Sequence, residues 1–274
     1  MPYRRAHWWI VALLVITGFA FWRDYLAVLP ESPWAWHLHG VTATLWMIFV
    51  GLQSWTAVTR RFPLHRVIGR ASLGLFPLFF TGGIAVVHRM ASLTPGDLFY
   101  KLHGYGLGFV DLAASLTIGW LFYSALRERR SVQFHARYML ATPLLLMMPA
   151  FGRIGTHFVP GLVIHGPTDF GLFTYSLHLS NLLTAAVALW LYRTAPRYGR
   201  PFLVVAIVGL AQSLGFALLP HLAPWRDGFS AFGRLPVAPV LVAALAIGAA
   251  VTWLGWNAGS KPARPAKPAL APAI

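Results

Sequence analysis

WHLHGVTATLWMIFVGLQSWTAV, residues 36–58, decides the fold: it holds no Asp, Glu, Lys or Arg. A helix of that length rises ~35 Å, enough to cross a hydrocarbon core of about 30 Å. Comparable runs lie at about 7–22, 66–89, 98–124, 135–152, 170–192, 201–220 and 236–256. Eight transmembrane helices are therefore expected, the fifth kinked by Pro143 and Pro149. Trp8, Trp9, Trp22, Trp34, Trp36, Tyr192, Trp225 and Trp256 mark the run ends, where amphipathic rings settle at the membrane–water boundary.

Composition agrees. Hydrophobic residues make up 57% of the 274 and charged residues 11%, far below the roughly one quarter that a water-soluble surface requires. That excludes a soluble enzyme. The absence of cysteine excludes disulfide staples, thiol catalysis, iron–sulfur clusters and cysteine-ligated zinc.

The net charge of +15 is topogenic rather than a signature of nucleic-acid binding, and no nucleic-acid partner is expected. With the N-terminus cytoplasmic, the inner segments carry 16 of the 22 basic residues. Arg60, Arg61, Arg66 and Arg70 form one inner group, and Arg127, Arg129, Arg130 and Arg137 another. Asp24, Glu31, Asp97, Asp169 and Asp227 fall outside. This predicts a multi-pass protein of a bacterial inner membrane, surrounded by lipid, with both termini cytoplasmic. The first run follows two arginines but has no small-x-small cleavage site, so it reads as a span rather than a signal peptide. Residues 1–256 read as one transmembrane domain, and 257–274 as a disordered basic tail rich in Pro and Ala.

Within that domain, residues 36–153 carry an internal echo. Leu38-His39-Gly40 opens the second helix and Leu102-His103-Gly104 the fourth, while His65 opens the third and His135 the fifth. Two consecutive hairpins would then form a duplicated core, helices two to five, related by an axis along the membrane normal. Equivalent histidines would face one another: His39 with His103 near the outer surface, His65 with His135 near the inner one. Paired imidazoles on facing helices are one way to hold haem iron axially. Arg66, Arg70 and Arg137 inside, and Arg153 outside, could meet the propionates. Gly40, Gly104, Gly106 and Gly108 would leave a smooth face for a flat ligand, although small residues also serve close helix packing.

A second arrangement uses the outer side alone. His39, His88, His103 and His178, with Asp111 as the only carboxylate inside a span, could hold zinc, copper or iron. Asp111 would act as a ligand or as base for a metal-bound water. A structural hydrogen bond is the simpler role for His178 and for Asp111 alike. Nucleophilic triads, phosphate loops and paired carboxylates are absent.

The run Leu64-His65-Arg66-Val67-Ile68-Gly69-Arg70, then His135-Ala136-Arg137-Tyr138-Met139, then Arg153, resembles a bacterial family of multi-pass membrane proteins of unknown function. The likeness covers about residues 37–153. The histidine layout is also similar to transmembrane dihaem b-type cytochromes of the ferric reductase type. That resemblance implies His39 sharing one haem with His103, and His65 sharing another with His135. The function expected is membrane electron transfer through b-type haem, with a quinone or other redox partner. The alternatives are a metal-dependent intramembrane enzyme and a non-catalytic subunit of a membrane complex.

Overall fold

The computed structural model describes residues 3–259, and it is all helix in its regular structure. Residues 260–274, most of the expected tail, lie outside the described residues. Seven helices are long and apolar enough to cross a membrane, which makes this a multi-pass α-helical protein with lipid as its surroundings. They are α2 (Trp34–Val58), α3 (Phe62–Leu93), α4 (Leu98–Arg127), the broken span α5 (Val132–Ala141) plus α6 (Met147–Phe158), α7 (Leu172–Thr194), α8 (Arg200–Leu218) and α10 (Val237–Ala258).

The first expected span is shorter than the others. Helix α1 (Ala6–Ala20) has 15 residues, below the usual crossing length. Turns on either side extend its reach. Tyr3 meets Phe202 edge-on at 5.8 Å and lies under Arg137, both at the arginine-rich end of the bundle. Phe21 lies under Arg153 at the other end, 3.9 Å from the guanidinium carbon. The segment from Tyr3 to Phe21 thus runs the height of the bundle.

The fifth span breaks at Pro143, whereas Pro149 sits in the first turn of α6, where its missing N–H costs no helical bond. Pro143 has no N–H to donate, and residues Pro143–Leu146 form a tight 3-10 turn between α5 and α6. Beyond it, α6 continues to Phe158, six residues past the expected end. The loop expected between the last two spans contains a further helix, α9 (Ala223–Gly233). Phe229 on α9 is buried against Val87, Met90 and Ala91 of α3, and the Trp225 indole donates to the Tyr105 carbonyl at 2.9 Å. This short helix plugs one end of the bundle.

The core is aromatic at its centre. Trp46, Phe76 and Phe122 are fully buried and stack or cross one another at 4.2–5.5 Å between centroids. The Trp46 indole donates to Thr142 Oγ1 at 2.9 Å, a buried bond between α2 and the end of α5. Many large apolar side chains point outward, including Val15, Leu182, Leu214, Val242 and Trp253. On a bundle of this length such a surface requires lipid.

The two hairpins of the expected duplication exist as α2–α3 and α4–α5. However, α2 packs on α1 and α3, whereas α4 packs on α3, α8 and α10. Helices α2 and α4 meet at Trp46 and Phe122 near mid-bundle, and towards the end where both begin a cavity opens between them.

Candidate functional site: a cavity between α2 and α4

The cavity has a volume of about 510 Å³ and opens at the end where α2 and α4 begin. Helix α2 contributes Trp36, His39 and Gly40; α4 contributes Phe99, Tyr100, Leu107 and Asp111. Helix α6 supplies Arg153, Thr156 and His157, and the end of α1 supplies Phe21, Asp24 and Tyr25. A smaller chamber of about 50 Å³ continues towards the middle of the bundle, lined by Phe76, Phe79, Phe80, Ser115 and Leu145. His39 and Asp111 line both volumes, so they stand at the junction of the outer chamber and its apolar extension.

Local chemistry places these groups. Asp97 caps α4, accepting from the Tyr100 backbone N–H at 3.0 Å, which sets where the helix begins. Tyr100, Leu107 and Asp111 then fall on one stripe at helical spacing. Gly82 of α3 permits the backbone of α2 to come close at His39, since a Cβ there would lie 2.9 Å from the His39 Cα. The His39 ring stacks on Phe79 at 6.0 Å and 20°, and Phe79 stacks on Trp46 at 5.6 Å and 20°. The imidazole is oriented by that stack rather than by a hydrogen bond.

The polar groups are incompletely satisfied. His39 Nδ1 is buried without a hydrogen-bond partner. The Asp111 carboxylate receives no hydrogen bond from any described residue. Arg153 Nη1 donates to the Pro149 carbonyl at 3.2 Å, and its Nε lies 3.5 Å from Asp24 Oδ2, an ion pair not aligned as a hydrogen bond. Asp24 Oδ1 also meets His157 Nε2 at 3.0 Å. Arg153 lies within Coulombic range of His39, Tyr100 and Asp111. A buried polar group without a partner is costly. Three buried nitrogens without a hydrogen-bond partner, His39 Nδ1, Arg153 Nε and His157 Nδ1, line this one hollow and mark a place for hydrogen-bonding contents.

At the mouth, Tyr25 OH and His37 Nδ1 are 2.9 Å apart. Burial raises the Tyr25 phenol above the ordinary tyrosine range, so it stays protonated. Gly40, expected to leave room for a flat ligand, abuts this Tyr25 ring. Gly104, Gly106 and Gly108 face Thr94, Phe216 and Phe229. The glycine face is therefore helix packing, filled by neighbouring side chains.

The structure brings together His39, Asp111 and Arg153 of the expected residues and disperses the others. His103 sits about 80° round the helix from Asp111, among Phe99, Phe173 and Phe216, and its Nε2–H donates to the Phe170 carbonyl at 2.8 Å. It lines neither chamber, so His39 and His103 do not share a hollow. His88 donates from Nε2 to the Leu235 carbonyl at 3.0 Å, fastening the α9–α10 connection to α3. His178 lies edge-on to Phe216 at 5.8 Å. Among the described residues no three His, Asp or Glu side chains gather to hold a metal, so the outer set of His39, His88, His103, His178 and Asp111 does not assemble.

His65 and His135 are at the opposite end of the bundle. Arg66 and Arg70 are exposed there, while Arg137 is buried, bonded to the Gln133 carbonyl at 3.0 Å and close to the rings of Tyr3 and Tyr198. The cavity also contains residues with no sequence motif to mark them: Asp24, Tyr25, Tyr100 and His157. Comparison with family models, curated proteins and solved structures finds no match to this chain.

Proposed function

We propose that this protein binds a quinone-class molecule in the cavity between α2 and α4, as the membrane component of an electron-transfer system. The observation that carries the reading is the convergence of His39 and Arg153, each with a buried nitrogen lacking a hydrogen-bond partner, with the Asp111 carboxylate in an aromatic hollow of about 510 Å³. A quinone is flat, lipid-soluble and carries two carbonyl acceptors. His39 and Arg153 can donate to such oxygens, and Asp111 can accept the proton of a quinol hydroxyl. Trp36, Phe99 and Phe173 offer ring faces for stacking. The narrower apolar chamber beyond Phe79 suits a small ring substituent such as a methyl or methoxy group.

The charge distribution supports a bacterial inner-membrane location with the cavity facing outward and both termini cytoplasmic. On that reading α1 is an eighth crossing. Haem on His39 and His103 has less support, because His103 is bonded to the Phe170 carbonyl and lines neither chamber.

The test is titration of the purified protein in nanodiscs with decylubiquinone, read by tryptophan fluorescence quenching against empty nanodiscs. Saturable binding, weakened at least tenfold in Asp111→Asn and Arg153→Met, is expected. Quenching no greater than membrane partitioning gives, or unchanged in both variants, overturns the proposal.

A further inference from the structure

The arginine-rich end holds a second arrangement that the cavity does not use. His65 opens α3 and its Nδ1 lies 3.2 Å from the carbonyl of Gln53, in the closing turns of α2, and 3.3 Å from Thr56 Oγ1, whose own proton goes to the Leu52 carbonyl at 2.8 Å. His135 near the start of α5 repeats this, with Nδ1 2.8 Å from the Ala125 carbonyl near the end of α4. A carbonyl only accepts, so both Nδ1 atoms carry the proton. Both Nε2 atoms then present a lone pair. Neither Nε2 meets a hydrogen-bond partner among the described residues.

The two rings share a level. Trp46 on α2 bonds to Thr142 at the end of α5, and the two helices run in opposite directions. Seven residues on from Trp46 is Gln53; seven residues back from Thr142 is His135. Each step is two helical turns, ~10.5 Å along the axis and within about 20° of the same face. The Gln53 carbonyl, with His65 bonded to it, is thereby brought level with His135, and His65 and Arg129 both lie within Coulombic range of the His135 ring. Met139, one turn from His135, falls on the same face of α5 and is partly buried.

We infer that His65 and His135 bind copper(I) through their Nε2 atoms, with the Met139 thioether as third donor. Fixing a ligand imidazole through an Nδ1–H bond to a carbonyl is the usual outer-shell arrangement of metal-binding histidine. Neutral nitrogen donors with a thioether select a soft monovalent ion over zinc, calcium or magnesium. Anions do not fit, because a lone pair on Nε2 repels them. The reading is independent of the quinone proposal.

The test uses full-length protein in detergent with ascorbate, competed for copper(I) against bicinchoninate and read by elemental analysis. One copper per chain is expected, with copper K-edge absorption showing imidazole and sulfur scatterers. Affinity should fall at least tenfold in His65→Gln and His135→Gln, and severalfold in Met139→Leu, which keeps the side-chain volume if the histidine variants misfold. No copper retained against the competitor, or equal retention in well-folded variants, overturns the site. So does an absorption spectrum without imidazole. A haem Soret band in the purified protein that disappears with the same histidines would replace copper with haem.

Discussion

Asp24 at the end of α1 and Arg153 on α6 meet at 3.5 Å across the mouth of the cavity, and His157 shares the same carboxylate. The pair ties the first connection to the second half of the broken span. Both partners retain solvent contact, with side chains 44% and 35% exposed, so the tie is worth about 1 kcal/mol rather than the several of a dry ion pair. Asp24→Asn should lower the melting temperature in detergent by roughly 2–4 °C. It should also leave Arg153 freer to bind a ligand oxygen, so decylubiquinone should bind as tightly as before or tighter. A large loss of binding would mean that Asp24 itself holds the ligand.

Gly82 is the contact through which α3 seats α2 at His39. A Cβ there would lie 2.9 Å from the His39 Cα and 3.1 Å from its N, and backbone cannot swing aside as a side chain can. Gly82→Ala should displace α2, cost about 1–3 kcal/mol and weaken decylubiquinone binding tenfold or more. Gly74→Ala, where nothing lies within 4 Å, should be neutral or slightly stabilising. Melting curves and titrations on both variants check the pair.

His88 and His103 should behave as structural residues. Each donates from Nε2 to a carbonyl of another segment, Leu235 and Phe170 respectively. His88→Ala and His103→Ala should each cost about 1–3 kcal/mol of stability by leaving a carbonyl unpaired. Decylubiquinone affinity should stay within about twofold. A selective loss of binding in His103→Ala with unchanged melting would return that residue to the site.

Orientation can be read with single cysteines, since the chain has none of its own. Ser32→Cys lies in the connection at the cavity mouth, and Ser131→Cys at the arginine-rich end. A membrane-impermeant maleimide applied to intact spheroplasts should label the first and spare the second until the membrane is broken. The reverse pattern would invert the topology.

The spans were legible because an uncharged run long enough to cross a bilayer has few other uses, and Pro143 announced its own break. Helix α9 was not legible. Its eleven residues include Pro224, Arg226, Asp227 and two glycines, and only Phe229 and Trp225 finding α3 and α4 makes it worth forming. Asp111 stood out as the one carboxylate in a span, and His39 and Arg153 by residue type. What separated His39 from His103 was rotation. The tripeptides match, but α4 packs on α8 and α10 as well as α3, which turns His103 towards Phe216. Asp24 and His157 reach the cavity only through the way α1 and α6 are laid side by side, a long-range arrangement with no local pattern.

The break at Pro143 has a mechanical consequence. One membrane span carries groups of both proposed sites, His135 and Met139 on α5, Arg153 and His157 on α6. A continuous helix would move as a rod, each turn hydrogen-bonded to the next, and a shift of Arg153 around an arriving molecule would tug on His135. The four residues 143–146 interrupt that rod with a 3-10 turn and a proline. Were both proposed sites occupied, this interruption would let each fill and empty without pulling on the other.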